Sequence, residues 1–399
     1  MPKVSSRGLA LPPSPIRKLA PFADAARSRG VQVFHLNIGQ PDLETPKVMR
    51  DRLKNIDPVI AYSPSAGTPQ YLAAMASYYA TVGLKIEPAN LIATTGGSEA
   101  VFFAFLCLAE AGDEVIVAEP FYTNYNSFAA MTGVKLVPVR CRGEEGFHLP
   151  AREAFDAALS PRTRFVLLCN PNNPTGTVYS RAEVQRVADF CREHDLFLVS
   201  DEVYREFVYD GASATSALDL PGFEDRVVVV DSLSKRFSAC GIRLGCFVSR
   251  NSEVIAAVTR AAQGRLSPPG LAQVLALGMA EIGADYYAGV REEYQNRRDV
   301  LHAELSKLPG VFLRKPEGAF YVVARLPVKD SDDFARFLLE DFSFEGATVM
   351  VAPAAGFYAT PGLGADEVRI AYVLNCDDLR RSIRILGEGL NAYAKRQPA

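Results

Sequence analysis

The chain has 399 residues, 48% apolar and 22% charged, enough to bury one large core and one smaller one. Its formal net charge of −3 leaves no basic excess, so nucleic-acid or anionic-membrane binding has no electrostatic footing. No apolar run approaches the roughly 20 residues of a bilayer span. The N-terminus, with Lys3 and Arg7 among Pro and Ser residues, lacks the apolar core of a signal peptide, which points to the cytoplasm.

In chain order, residues 11–15 (Leu-Pro-Pro-Ser-Pro) predict an extended arm and residues 16–28 a short helix. Residues 31–36 read as a strand, closed by the turn-prone Gly39-Gln40-Pro41-Asp42. From about residue 70 to 285 helices and strands alternate. An apolar helix is expected over 100–109, with strands over 114–118, 134–139 and 165–169. Residues 181–194 form an amphipathic helix, with Val184, Val187, Ala188 and Cys191 on one face. Residues 197–200 and 227–230 are continuous apolar runs. Strands apolar on both faces and separated by helices predict a mainly parallel sheet covered on both sides, a three-layer α/β/α domain. Further on, helices near 287–307 and 332–340 alternate with strands near 318–323, 348–352 and 368–372, giving a smaller α+β domain. The boundaries expected are 47–285 for the large domain, with 1–46 and 286–399 forming the small domain and its N-terminal arm.

Seven cysteines at irregular spacing, without a CxxC pair, predict reduced thiols, and the four histidines have no metal-ligand spacing.

In open α/β sheets, ligands bind beyond the carboxyl ends of the strands. Three polar clusters fall there: Asn170-Pro171-Asn172-Asn173-Pro174-Thr175-Gly176, Asp201-Glu202-Val203-Tyr204 and Asp231-Ser232-Leu233-Ser234-Lys235. Taken singly, these read as a turn, a helix cap and a solvated lysine. Their order and shared position after consecutive strands imply one site.

With Ser232-Leu233-Ser234-Lys235 followed by Gly241-Ile242-Arg243-Leu244-Gly245, the chain resembles the class I/II aminotransferases of pyridoxal-phosphate (PLP) fold type I, in their aspartate aminotransferase-like branch. The family pattern is SxSK and an arginine eight residues after the lysine, and the resemblance runs from about residue 16 to 375.

The resemblance implies that Lys235 binds PLP covalently as an imine and then moves the Cα proton. A lysine must be neutral to do either, so its pKa has to fall. It implies further that Arg243, Ser232 and Ser234 hold the cofactor phosphate. Gly97 and Ser98, at the start of an apolar helix, would cradle the same phosphate with backbone N–H groups. Glu99 beside them makes at most a backbone contact. Asp201 would pair with the pyridine nitrogen, Tyr204 and Asn173 with the ring oxygen, and Tyr122 would stack on the ring, with Phe121 its rival. Arg369, in Glu367-Val368-Arg369-Ile370-Ala371, matches the arginine that grips the substrate α-carboxylate, beside Asn173 and Gly39, whose missing side chain leaves the ligand room. Ile16 would plug the entrance.

Tyr62, five residues before Gly67, matches a tyrosine that reaches the phosphate of a neighbouring subunit, implying a homodimer with shared sites. The family's Leu-Arg is Leu72-Ala73 here. A second arginine often reads a side-chain carboxylate. Alignment on Pro268-Pro269 puts Ala262 at that position, leaving Arg265 as a candidate by another backbone path. The function implied is ping-pong transfer of an amino group between an amino acid, aspartate/glutamate or a broader range, and a 2-oxo acid such as 2-oxoglutarate. A PLP lyase of carbon–sulfur or cyclopropane-carboxylate synthase type is the alternative, since it would share the cofactor residues. A ligand-binding regulator would need a DNA-binding module, for which a fold beginning near residue 16 leaves no room.

Overall fold

The computed structural model describes residues 2–396; the outermost residues of the small-domain assignment, 1 and 397–399, lie outside the described residues. Its centre is a seven-stranded sheet in the order Leu91–Thr94, Gly245–Ser249, Val227–Ser232, Phe197–Asp201, Thr163–Cys169, Glu114–Glu119, Lys135–Arg140. All neighbours run parallel except around Gly245–Ser249, which is antiparallel to both strands beside it. The expected mainly parallel α/β sheet is therefore present. Two of its strands, Leu91–Thr94 and Gly245–Ser249, escape the sequence reading because each is a short apolar run that periodicity cannot tell from buried helix.

The central strands are closed to water on both faces, with Val227–Val230 at 2% exposure or less. Each such side chain contributes about 2 kcal/mol of burial. Pro138 lies on Lys135–Arg140, an edge strand, where its missing N–H costs no ladder bond.

A second, four-stranded sheet is ordered Ala352–Pro353, Glu367–Ala371, Tyr321–Arg325, Phe312–Leu313, all antiparallel. The strand expected over 348–352 is two strands. Ala347–Met350 pairs in parallel with Gln32–His35 near the N-terminus, whereas Ala352–Pro353 joins the antiparallel sheet. Both ends of the chain thus meet in the smaller α+β body. The first helix after the arm starts at Ala20, not residue 16, with Pro21 in its first turn. The closing helix Cys376–Arg396, which the sequence reading does not contain, packs Leu379, Ile383, Leu386 and Leu390 into the smaller core. Among the described residues no helix is long and apolar enough to cross a membrane.

Candidate active site

The carboxyl ends of Thr163–Cys169, Phe197–Asp201 and Val227–Ser232 open on a cavity of about 990 Å³, closed on the other side by the smaller sheet and by the N-terminal arm.

Lys235 enters from the first turn after Val227–Ser232, which a buried ion pair fixes. Arg236 donates to both carboxylate oxygens of Asp231 at 2.9 and 2.8 Å, and Asp231 accepts from the Ser232 N–H at 2.7 Å. Lys235 Nζ donates to the Gly39 carbonyl at 2.6 Å and lies 3.8 Å from Cys240 Sγ. Burial lowers the lysine pKa, Arg369 and Arg243 lower it further, and Cys240 opposes them. The shift is toward the neutral amine that a nucleophile or base requires.

Beside the lysine lies an anion cradle. Ser232 Oγ donates to Ser234 Oγ at 2.9 Å, and Arg243 Nη1 reaches Ser234 Oγ at 3.5 Å. Gly97 and Ser98 lie in the first turn of the 13-residue helix Gly96–Leu108 and line the cavity, and the N-cap residue Thr95 makes no side-chain cap bond there. Gly245 makes this junction possible. A Cβ there would stand 2.5 Å from the Asp231 carbonyl oxygen and 2.9 Å from the Gly96 carbonyl carbon.

At the cavity floor Asp201 is buried, accepting from Tyr125 Oη at 2.8 Å and from the Val203 N–H at 3.4 Å. No cation pairs with it among the described residues, and burial pushes its pKa up to about 6. Such a carboxylate is suited to a ligand that brings a cationic N–H. Tyr122 lines the cavity, while Phe121 turns into the core and stacks on Tyr125.

Opposite stands Arg369, 2% exposed, between the rings of Tyr321 and Phe357. Nη1 donates to Asn173 Oδ1 at 3.1 Å, Nη2 donates to the Asn37 carbonyl, and the buried Nε has no partner. Asn173 Nδ2 donates to Tyr204 Oη at 3.3 Å. Gly39 lines the cavity, but the space beside it is filled by the protein itself. A Cβ would come within 1.8 Å of Tyr321 Oη, so the expected ligand room is occupied by a phenol. Gly39→Ala should displace Tyr321 and disturb the Lys235 contact, lowering kcat/KM at least about tenfold and destabilising the fold by roughly 1–3 kcal/mol; steady-state kinetics and thermal melts would read both.

Ile16 also lines the cavity and packs against the cluster of Ala352, Ala354 and Phe357. Two expected site residues do not converge. Arg265 Nε donates to Glu99 Oε2 at 2.9 Å and its Nη2 to the Ala93 carbonyl at 2.6 Å, outside the cavity lining. Glu99 also accepts from the Thr95 N–H at 2.8 Å, so the pair braces the turn that opens the helix Gly96–Leu108. Tyr62, 81% exposed, also lies outside the cavity of its own chain. Tyr125, Cys240 and Tyr321 are the contributors sequence reasoning misses. Tyr125 alone had a local signal, three residues after Tyr122 at the start of a helix.

The sequence profile of the family Aminotransferase class I and II matches residues 31–384. The chain belongs to this family. It is therefore a PLP-dependent aminotransferase, working between amino acids and 2-oxo acids. It is 31% identical over 396 residues to the aspartate/prephenate aminotransferase of Thermus thermophilus, covering 96% of this chain and 99% of that one. It is 30% identical over 404 residues to a probable aspartate/prephenate aminotransferase of Aquifex aeolicus, covering 97% and 98%. The solved aspartate aminotransferase of Thermus thermophilus with maleate superposes with a TM-score of 0.86 at 30% identity, over 98% of this chain and all of that one. An alanine aminotransferase from Pyrococcus furiosus gives 0.88 at 27% identity, again over 98% of this chain and all of that one. The chemistry of the donor set fits the family cofactor, with an anion cradle, a buried unpaired carboxylate and a lysine of lowered pKa in one cavity.

Proposed function

We propose that this aminotransferase acts by a ping-pong mechanism on aspartate or glutamate with 2-oxoglutarate as acceptor, with Lys235, Asp201 and Tyr204 as its catalytic residues. The observation that carries the reading is that buried Arg369 lines the cavity that holds Lys235, with an Nε that has no hydrogen-bond partner among the described residues. A carboxylate is the ligand that satisfies such an edge with two hydrogen bonds.

Bound in the cavity, PLP supplies an aldehyde that bonds amino groups and a cationic ring that accepts electrons from Cα. Gly97, Ser98, Ser232, Ser234 and Arg243 would hold its phosphate. Asp201 would keep the ring nitrogen protonated, Tyr204 and Asn173 would hydrogen-bond the ring oxygen, and Tyr122 would cover the ring. Arg369, with Asn173 and Gly39 alongside, orients the substrate α-carboxylate. Lys235, as a neutral amine, would take the proton from the substrate Cα and hold it for return across the C–N bond.

Tyr62 is proposed to serve the phosphate site of a second copy, which its exposure on this chain supports, so the working unit is a homodimer in the cytoplasm. Residues 47–285 are proposed as the large domain, and 1–46 with 286–399 as the small one. The acidic preference is supported by the relatives named for aspartate. Arg265, held by Glu99, does not support it.

A spectral panel tests the reading. The holoenzyme should convert to its pyridoxamine form with glutamate and aspartate, and more slowly with alanine or phenylalanine. Equal conversion by all would overturn the acidic preference. Pyruvate or ammonia released without an oxo-acid acceptor would favour a lyase. Arg369→Lys should raise KM for every amino acid on the order of 10²-fold, since a point charge replaces a planar fork.

A further inference from the structure

One buried phenol touches the groups proposed for cofactor and substrate, and lies beside the glycine whose carbonyl meets the lysine. Tyr321 is 2% exposed on the strand Tyr321–Arg325. That strand pairs antiparallel with Glu367–Ala371, with Tyr321 opposite Ala371 and Val323 opposite Arg369. Tyr321 and Arg369 are therefore diagonal neighbours on one sheet face. The Arg369 guanidinium lies 4.5 Å from the Tyr321 ring centroid. The Tyr321 hydroxyl is 3.0 Å from that of Tyr204, across the junction between the two sheets. It also fills the space beside Gly39, whose carbonyl accepts from Lys235 Nζ.

We propose that Tyr321 is a positioning residue that aims the Tyr204 hydroxyl proton at the cofactor ring oxygen and holds the Arg369 guanidinium for the substrate carboxylate. The inference rests on the roles given above to Tyr204 and Arg369. A tyrosine hydroxyl has one proton and two lone pairs. Asn173 Nδ2 already donates to Tyr204 Oη at 3.3 Å. When Tyr204 turns its proton into the cavity, Tyr321 is the donor in the phenol pair, and the Tyr204 oxygen then accepts twice. Two donors on that oxygen polarise its O–H and strengthen the bond it gives. A stronger bond to the ring oxygen competes with the nearby lysine–cofactor linkage for the same lone pairs. The linkage then loses its proton at lower pH, and the unprotonated form is the more populated near neutrality.

The groups facing this pair are Tyr122, Cys169, Cys240 and Arg369. Burial pushes Tyr122, Cys169, Tyr204 and Tyr321 up, so all four stay protonated near neutrality. Asp201 and Arg243 complete the charged lining of the cavity.

The test is a visible-range pH titration of the holoenzyme. Tyr321→Phe keeps the ring under Arg369 and removes only the hydroxyl. It should raise the midpoint of the lysine–cofactor linkage by about half a unit to one unit, with KM for the amino acid little changed. Tyr204→Phe should raise it more, and the double variant should match Tyr204→Phe alone. Tyr321→Leu, which also removes the ring, should raise KM on the order of tenfold with a smaller fall in kcat. A Tyr321→Phe midpoint equal to wild type, or shifts that add in the double variant, would overturn the proposal while leaving the residue roles standing. A wild-type chain that gives no visible band with PLP would overturn both.

Discussion

Lys235→Ala loses turnover by on the order of 10⁴-fold or more while keeping its fold, measured by single-turnover spectra and by thermal melts. The lysine is the only amine among the cavity-lining residues near both the anion cradle and the carbonyl of Gly39. Burial, Arg369 and Arg243 all lower its pKa, which raises the share of free amine able to take a proton. Alanine removes the base and frees only the Gly39 carbonyl, because the ion pair that shapes the turn is made by the next residue, Arg236, with Asp231. Stability therefore changes little while the chemistry stops. Turnover near the wild-type rate would remove Lys235 from the mechanism.

Asp201→Asn gives the second large effect, a fall in kcat of about 10²–10³-fold, because an amide cannot hold the ring nitrogen in its cationic form. The same variant changes the apoprotein in the opposite sense. The folded pKa of about 6 lies above the ordinary 3.8, so the folded state binds this proton more tightly than the unfolded state does. The penalty is absent below about pH 4, grows as pH rises toward 6, and then levels at roughly 3 kcal/mol. Apo Asp201→Asn should accordingly melt higher than the apo wild type at pH 8 and nearly with it at pH 4. A cationic ring nitrogen relieves the same penalty. The stabilisation of wild type by PLP should exceed that of the Asn variant at pH 8, and the gap should narrow at pH 5. Scanning calorimetry at these pH values reads all of this. A pH-independent difference between the apo forms would show that Asp201 is already ionised without a partner.

Much of the site is legible in the sequence because its parts are local. Ser232, Ser234 and Lys235 leave the end of one strand, and Arg243 follows eight residues later on the same turn system. Asp201 and Tyr204 leave the next strand, and Asn173 the one beyond it. Parallel neighbours bring such ends together without any knowledge of side-chain packing. Arg265 shows the limit. Its distance in sequence from Pro268-Pro269 says nothing about Glu99, yet that carboxylate, 2.9 Å away, decides where the guanidinium goes. Gly39 was expected to leave space for ligand, and only the fold shows that Tyr321 takes that space.

The sequence by itself determined the parallel sheet, the lysine with its arginine, and the carboxylate and asparagine at the neighbouring strand ends. These depend on apolar runs and short spacings, which a linear chain displays directly. Tertiary structure decided which arginine lines the cavity, which aromatic residue faces it, and how the smaller sheet meets Tyr204. Those outcomes depend on pairs of residues far apart in the chain, from Asn37 with Arg369 to Glu99 with Arg265. A contact between two buried polar groups is settled by what else can satisfy them, and that competition exists only once the chain has folded.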